Sequence, residues 1–241
     1  MQDAFDFAGS GVADPERWRL ALVAFFGLAL PARRRTPFGQ LVKSLLSART
    51  RDAVSEAAYD RLVARWPDPS ALAAAPPGAV EAVVADVTFA DVKAARLHAA
   101  LQAIVRERSD YDLTFLGDLA IADALAWLER LPGVARKVAA STLNLLTLNR
   151  PVFVVDAHVL RVLRRLRYVG RSADARAASE AVTAAMAGWG GDEFLLFHAG
   201  TKRLGQELCR YDVPDCARCP LLADCPTGRG RLDETSSRDH R

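Results

Sequence analysis

The sequence predicts an all-α protein. Apolar residues recur at helical spacing along most of the chain. In residues 91–106, four apolar side chains share one predicted inward face: Val92, Leu97, Leu101 and Ile104. No stretch alternates with the two-residue period of a strand, and the one short β-branched run, residues 152–155, stands alone. Prolines divide the helical segments into short and medium lengths, which favours a compact bundle.

Acidic residues mark the starts of several predicted helices, because a carboxylate can accept the unpaired N–H groups of a first turn. Three starts are indicated: Asp14 with Pro15 in the first turn, Asp52 ahead of residues 53–65, and Asp91 ahead of residues 92–106. The sequence shows no internal repeat. The elements are therefore expected to pack as one non-repetitive set of helices.

Composition and charge are those of an ordinary globular protein, with 241 residues, 51% hydrophobic and 25% charged. The longest apolar stretch, residues 20–32, is interrupted by Pro31, is too short to cross a bilayer and lacks the features of a secretory signal. We therefore expect a cytoplasmic protein without a membrane partner. The net charge of +3 indicates a polyanionic partner only mildly.

Four cysteines lie together near the C-terminal end, in the spacing C-x6-C-x2-C-x5-C: Cys209, Cys216, Cys219 and Cys225. The preceding 208 residues contain none, so the pattern indicates a local ligand site and not a disulfide framework. Four thiolates suit either a structural zinc ion or an iron-sulfur cluster. On chemical grounds alone both alternatives stay open, with zinc the more common one.

Residues 128–139 read as the end of one helix, a tight turn at Pro132 and Gly133, and a second helix that starts near Ala135. Backbone N–H groups in such a turn and at a new helix start can bind a phosphate without reading sequence. The hairpin is therefore a candidate DNA backbone anchor. Its structural alternative is an ordinary corner between two packed helices.

The segment from Leu131 to Lys137, L-P-G-V-A-R-K, resembles the L-P-G-V-G-R-K pattern of the endonuclease III branch of the helix-hairpin-helix DNA glycosylases. In that branch the lysine is the nucleophile of bifunctional members, which implies this role for Lys137. Ala135 stands where the family usually has glycine, so a backbone conformation with positive φ would be strained there.

Residues 154–162, V-V-D-A-H-V-L-R-V, resemble the family's V-D-T-H-x-x-R-V, whose aspartate is needed to cleave the glycosidic bond. The resemblance implies this role for Asp156, although an aspartate at a helix start is often only a cap. The cysteine spacing resembles the C-terminal loop of the same branch. That match implies a 4Fe-4S cluster.

The resemblance also implies a DNA wedge, the side chains that fill the gap left by a flipped-out base. The family's wedge glutamine and leucine correspond here to Arg49 and Phe89, within residues 45–52 and 88–94. An arginine there could change the preferred opposite base. The complete set of predicted DNA contacts is Arg49, Arg51, Phe89, Lys93, Gly133, Val134, Ala135, Arg136, His158 and Arg161.

The family architecture implies two helical domains with a DNA-binding cleft between them. These are a six-helix domain over residues 31–150, which carries the hairpin, and an iron-sulfur cluster domain formed by residues 1–30 with 151–241. The implied activity is that of a base-excision repair DNA glycosylase and abasic-site lyase that removes oxidised pyrimidines from double-stranded DNA. A neutral lysine amine would form a Schiff base, and β-elimination would nick the strand.

Two other functions stay open. The chain could remove uracil or thymine from mismatches, or it could be a non-catalytic iron-sulfur DNA-binding protein. An adenine glycosylase fits less well, because that branch usually lacks the lysine. We expect a nucleoid-associated monomer whose partner is duplex DNA with damaged bases or abasic sites.

Overall fold

The computed structural model describes residues 13–32 and 35–238, which contain no strand and none of whose helices could span a membrane. The all-α prediction is confirmed for this part of the chain. The α-helices are α1 (Pro15–Phe26), α2 (Pro37–Ser47), α3 (Asp52–Arg65), α4 (Pro69–Ala74), α5 (Pro77–Val83), α6 (Ala90–Arg108), α7 (Ile121–Glu129), α8 (Arg136–Leu143), α9 (Ala157–Arg165), α10 (Ala175–Ala185), α11 (Gly191–Glu207) and α12 (Pro226–Arg238). Short 3₁₀ turns lie at Thr114–Gly117, Cys216–Arg218 and Leu222–Asp224.

The start of α1 is the one that was predicted, because the Asp14 side chain accepts a hydrogen bond from the Arg17 amide at 3.0 Å. The predicted caps at Asp52 and Asp91 are wrong. Helix α3 begins at Asp52 itself and α6 begins one residue before Asp91, so both acids lie in a first turn. A carboxylate there still stabilises the helix through the helix dipole.

The described chain forms two compact units. The central unit comprises residues 30–32, 35–154 and 187–195, and the terminal unit comprises residues 13–29, 155–186 and 196–238. The domain limits taken from the sequence stay a prediction. Residues 151–154 and 187–195 lie with the central unit, and helix α11 runs from one unit into the other.

Helix α2 forms the middle of the central unit and packs against α3, α6 and α8. Eight of its eleven residues are buried, as expected for a helix that is covered on most sides. Gly39 leaves room for the Tyr59 hydroxyl of α3, which a Cβ atom at this position would displace. The packing of α2 therefore fixes the position of its last residue, Ser47.

The inward face of α6 differs from the predicted one at a single position. Leu97, Leu101 and Ile104 are buried as predicted, but Val92 is 39% exposed. Lys93 takes its place, because positions 93, 97, 101 and 104 form one continuous helical stripe. The lysine is only 6% exposed.

The terminal unit has a core of its own around α1. Trp18 and Leu22 are fully buried, and the Trp18 ring packs edge-on against Tyr168 at 5.7 Å between centroids. The Trp18 indole N–H also donates to Asp224 at 2.9 Å, which ties α1 to the cysteine-containing segment. This unit therefore joins the N-terminal helix to the four cysteines.

Candidate active site and cysteine pocket

The predicted hairpin is present in the central unit, between the end of α7 and the start of α8. The Val134 amide donates to the Leu131 carbonyl at 3.1 Å and closes a four-residue turn, with Pro132 second and Gly133 third. Gly133 has a φ of +80°, the left-handed value that a type II turn requires at this position. A Cβ atom on Gly133 would also lie 3.1 Å from the Arg96 side chain, so both conformation and space favour glycine.

The strain that was expected at Ala135 is absent. Ala135 is the N-cap residue of α8, with φ −95° and ψ 173°, an extended conformation that any residue adopts. It supplies no side-chain cap, so its small methyl group leaves the exposed helix start uncovered. The substitution of alanine for the family's usual glycine therefore imposes no backbone cost here.

Lys137 lies in the first turn of α8 and is half-buried. Its ammonium nitrogen donates to the Ser47 hydroxyl oxygen at 2.6 Å. The Ser47 hydroxyl in turn donates to the Ser44 carbonyl at 2.8 Å, so its oxygen is left to accept the lysine. The last turn of α2 thereby fixes the position of the amine, and sequence analysis did not find Ser47.

Asp156, in the terminal unit, is the N-cap residue of α9. Its Oδ1 atom accepts the amides of His158 at 2.8 Å and Val159 at 2.9 Å. Its Oδ2 atom lies 4.0 Å from the Lys202 ammonium, and the carboxylate is 15% exposed. The arrangement leaves one oxygen engaged by the helix start and the other beside a positive charge.

The charge state of Asp156 is set by opposing effects. Burial raises the pKa of the carboxyl, but the electrostatic effect of His198, the Val159 amide hydrogen bond, and the electrostatic effects of Lys202 and His158 outweigh it. The pKa is therefore held below its ordinary value, and the group is a carboxylate at neutral pH. Neither His198 nor Lys202 was predicted, because both are distant in sequence and come from α11.

The four cysteines line one small pocket in the terminal unit. The Arg165 guanidinium donates to the Cys209 sulfur at 3.2 Å and the Gly228 amide donates to the Cys225 sulfur at 3.3 Å. Arg165 also binds the carbonyls of Arg210 at 2.7 Å and Tyr211 at 2.9 Å, and so fixes the loop between the first two cysteines.

Burial raises the pKa of the Cys219 thiol to about 11, and burial together with neighbouring thiolates raises those of Cys216 and Cys225. A set of thiolates in this pocket therefore requires compensating positive charge. Within residues 13–32 and 35–238, no group of three or more His, Cys, Asp or Glu side chains converges tightly enough to hold one metal ion. The cysteines surround a common space, and the N–H groups of Arg165 and Gly228 donate to two of their sulfur atoms.

Comparison with known proteins identifies the family. Residues 42–186, more than half of the chain, match the family described as the HhH-GPD superfamily base excision DNA repair protein. The chain belongs to this superfamily. The match includes the hairpin, Lys137 and Asp156.

Curated HhH-GPD relatives carry endonuclease III names. The chain is 27% identical to endonuclease III of Thermotoga maritima over 81% of its own length and 85% of that protein. It is 28% identical to endonuclease III homolog 2, chloroplastic, of Arabidopsis thaliana and 29% identical to endonuclease III-like protein 1 of Bos taurus. The alignments cover 88% and 84% of this chain, but only 53% and 62% of these two longer relatives.

Solved structures share the fold. A trapped endonuclease III–DNA covalent intermediate has a TM-score of 0.72 and 24% identity, covering 91% of this chain and 99% of that one. A thermostable thymine-DNA glycosylase has the same TM-score with 15% identity, covering 90% and 97%. The helical fold predicted for an HhH-GPD protein is thus confirmed.

The predicted DNA contacts in this HhH-GPD chain differ in their exposure to solvent. Arg49, Arg51 and Gly133 are exposed, and Phe89 is 55% exposed. Arg49 and Phe89 both have left-handed backbones, with φ of 54° and 59°. A non-glycine residue seldom adopts this conformation unless its surroundings fix it, so both side chains are presented by constrained loops.

Other predicted contacts are engaged within the protein. Val134 is buried, and Arg136 forms an ion pair with Glu129 at 2.6 Å. The Arg161 guanidinium donates to the carbonyls of Cys209 at 3.0 Å and Gly205 at 2.7 Å. Its Nη2 atom also lies 3.2 Å from the His158 ring. These placements favour structural roles for the side chains of Arg136 and Arg161.

Proposed function

We propose that this chain is a DNA glycosylase with abasic-site lyase activity, acting on oxidised pyrimidines in duplex DNA. The observation that carries the proposal is the Lys137 amine, held by Ser47 in the first turn of α8 directly after the hairpin turn. A phosphate bound at that turn and helix start would bring the DNA backbone to the amine. Membership of a base excision repair superfamily supports the same reaction.

In the proposed reaction, the neutral Lys137 amine attacks C1′ of the damaged nucleotide. The bond between C1′ and the base nitrogen breaks, and its electron pair leaves with the base, which takes up a proton. Ring opening then gives a Schiff base between Lys137 and C1′. Loss of a C2′ proton and cleavage of the C3′–O bond nick the strand. No oxidant or reductant is needed.

Asp156 would act while the glycosidic bond breaks. Positive charge develops on the sugar in the transition state, and a carboxylate that remains ionised stabilises it. The N-cap hydrogen bonds and the electrostatic effects of His198 and Lys202 keep Asp156 in that form. The residue would thus meet the reaction already charged and fixed in orientation.

The four cysteines and the groups around them fit a 4Fe-4S cluster. Their thiols surround a common pocket, and Arg165 and Gly228 offer N–H donors of the kind that neutralise cluster sulfur. Bound there, a cluster would cross-link the loop of residues 209–225 and stabilise the terminal unit. The reaction steps above do not pass through it.

The experiment that tests the proposal is base release and strand nicking on duplexes carrying thymine glycol, uracil or an abasic site. Wild-type protein should release thymine glycol and nick the strand, and Lys137→Gln should do neither. Lys43→Gln is a matched control, since Lys43 is a lysine of the central unit that pairs with Glu56 at 3.7 Å. Binding of all three duplexes without release or nicking would contradict the proposal and favour a non-catalytic DNA-binding protein.

One observation favours a mismatch glycosylase as the second candidate. Arg49 is an exposed arginine in the predicted DNA wedge, and a guanidinium donates well to the O6 and N7 atoms of guanine. Guanine is the base opposite uracil or thymine in the relevant mismatches. Faster release of uracil or thymine opposite guanine than of thymine glycol would select this function, and Arg49→Gln should then reduce the preference for guanine.

A further inference from the structure

Lys93 is a buried cation whose hydrogen-bonding capacity is fully used. Its ammonium donates to the carbonyls of Leu46 at 2.7 Å and Ala48 at 2.5 Å, and to the Thr50 hydroxyl at 2.8 Å. An ammonium has three N–H groups, so these three acceptors satisfy it completely. The prediction that Lys93 contacts DNA directly therefore conflicts with its position, because no N–H remains for a phosphate.

The acceptors of Lys93 belong to the C-terminal end of α2 and the loop that follows it. Carbonyls in the last turn of a helix have no partner inside the helix, and a positive charge there also offsets the negative end of the dipole. Lys93 therefore caps the C-terminal end of α2 and connects residues 48–50 to α6. Burial lowers the pKa of Lys93 to about 8.

The same network reaches a second loop. Besides the Lys93 ammonium, the Thr50 hydroxyl oxygen accepts a hydrogen bond from the Thr88 amide at 3.3 Å. The same hydroxyl donates to the Ala48 carbonyl at 3.4 Å. Thr88 precedes Phe89, the residue before α6. The Lys93 ammonium and the Thr50 hydroxyl thus connect residues 48–50 to residues 88–89.

Each connected loop presents one exposed side chain on a left-handed backbone, Arg49 in the first and Phe89 in the second. Neither conformation is favourable for a side chain of this size, so each depends on the loop around it. The Ala48 carbonyl and the Thr50 hydroxyl, both bound by Lys93, flank Arg49 on its two sides. The Thr88 amide, bound by Thr50, lies one residue from Phe89. A single buried network therefore fixes both exposed side chains.

We propose that Lys93, acting through Thr50, is a positioning residue that sets Arg49 and Phe89 as one rigid DNA wedge. The proposal rests on the proposed function in that it takes damaged DNA as the ligand. It does not depend on the chemistry of Lys137, because Ser47 lies within α2 and is held there by its bond to the Ser44 carbonyl. Loss of the network should impair opening of the duplex and leave attachment to the DNA backbone intact.

The test uses a duplex with a tetrahydrofuran abasic analogue opposite 2-aminopurine, whose fluorescence rises when the base is unstacked. This analogue cannot form a Schiff base, so the signal reports insertion and not catalysis. Lys93→Met keeps the buried stem and removes the three donors, and should reduce the insertion equilibrium about 10- to 100-fold. Its affinity for an undamaged duplex should stay within about threefold, because the hairpin is unchanged.

Thr50 supplies a milder pair of variants if Lys93→Met folds poorly. Thr50→Val removes the shared hydroxyl at nearly constant shape and should reduce insertion about 3- to 10-fold, the effect of one hydrogen bond. Thr50→Ser keeps the hydroxyl and should restore wild-type insertion. A purely structural role would lower the thermal stability of Thr50→Val and leave insertion by the folded protein unchanged.

The proposal is overturned if folded Lys93→Met or Thr50→Val unstacks 2-aminopurine as the wild type does. It is also overturned if the wild type gives no fluorescence rise, because then there is no wedge to position. Failure of the proposed function looks different. The wild type would insert into the analogue duplex and lose insertion on Lys93→Met, yet release no base and form no covalent adduct.

Discussion

Helices α8 and α9 begin in contrasting ways, and each start carries one of the two proposed catalytic groups. Helix α8 has Ala135 as its N-cap residue, without a side-chain cap, and places Lys137 in its first turn. Helix α9 begins with Asp156 as its cap, bound by two amides. The positive end of the helix dipole stabilises the carboxylate, and it is unfavourable for a positive charge in the first turn.

The same structural device therefore acts differently on two groups of opposite charge. An anion gains directly from the N–H groups of a helix start, as Asp156 does. An amine in the first turn gains nothing from the same N–H groups, because they are unfavourable for a positive charge. The two groups also differ in their other neighbours. Lys137 contacts the Ser47 hydroxyl, whereas Asp156 is affected by His198 and Lys202.

The largest predicted effect comes from removing the charge of Asp156. Asparagine caps a helix about as well as aspartate, so Asp156→Asn should keep α9 intact and remove only the negative charge. Single-turnover base release should fall about 100- to 1,000-fold. Helicity should match the wild type. A variant with the wild-type rate would remove Asp156 from the mechanism.

A smaller loss is predicted for the group that holds the lysine. Ser47→Ala removes the hydroxyl that accepts the Lys137 ammonium at 2.6 Å. Because one such bond contributes about 0.5–1.5 kcal/mol, the rate of covalent adduct formation on an abasic duplex should fall about 3- to 10-fold. Ser47→Thr retains a hydroxyl and serves as the matched control. Equal rates in Ser47→Ala and the wild type would show that the contact does not position the amine.

A shift in pH dependence is predicted for Lys202→Met. The pKa of Asp156 is held low in the folded protein, so the carboxylate is lost only as the pH falls through that low value. Without Lys202 the pKa rises, although His198, His158 and the Val159 amide still act on the group. The acid limb of base release, measured below about pH 5, should move to higher pH with an unchanged plateau. An unmoved limb would mean that Lys202 does not act on Asp156.

The smallest effect is predicted for Ala135→Gly at the α8 start. Because Ala135 has an ordinary extended backbone, glycine relieves no strain and should leave affinity for undamaged duplex unchanged. Gly133→Ala is the contrasting variant, since φ is +80° and Arg96 is close. It should lower the free energy of unfolding by about 1–2 kcal/mol and weaken duplex binding. Tighter binding by Ala135→Gly would show that alanine does impair the anchor.

Features that depend on neighbouring residues could be predicted from the sequence. The hairpin turn needs only Pro132 and Gly133 in order, and the cysteine pocket needs four thiols within one short segment. Helix α12 was not predicted, because its polar, glycine-containing sequence has no apolar period. The roles of Lys137 and Asp156 stay predictions, which their helix-start positions support.

Features that depend on tertiary contacts could not be predicted. Lys93 was expected to contact DNA, but the end of α2 and the loop after it supply three acceptors that no local pattern reveals. Ser47 and Lys202 were missed for the same reason, since each partner is at least 46 positions away in the chain. The prediction of strain at Ala135 was wrong, because the residue of the turn with a left-handed backbone is Gly133.

The central claim is that the Lys137 amine attacks C1′ of a nucleotide in DNA. The most direct measurement is borohydride trapping on a duplex with a natural abasic site, followed by proteolysis and mass spectrometry of the cross-linked peptide. The account predicts a covalent adduct on the peptide containing Lys137, and no adduct with Lys137→Gln. An adduct on Lys202 or on another amine, or wild-type trapping by Lys137→Gln, would contradict it.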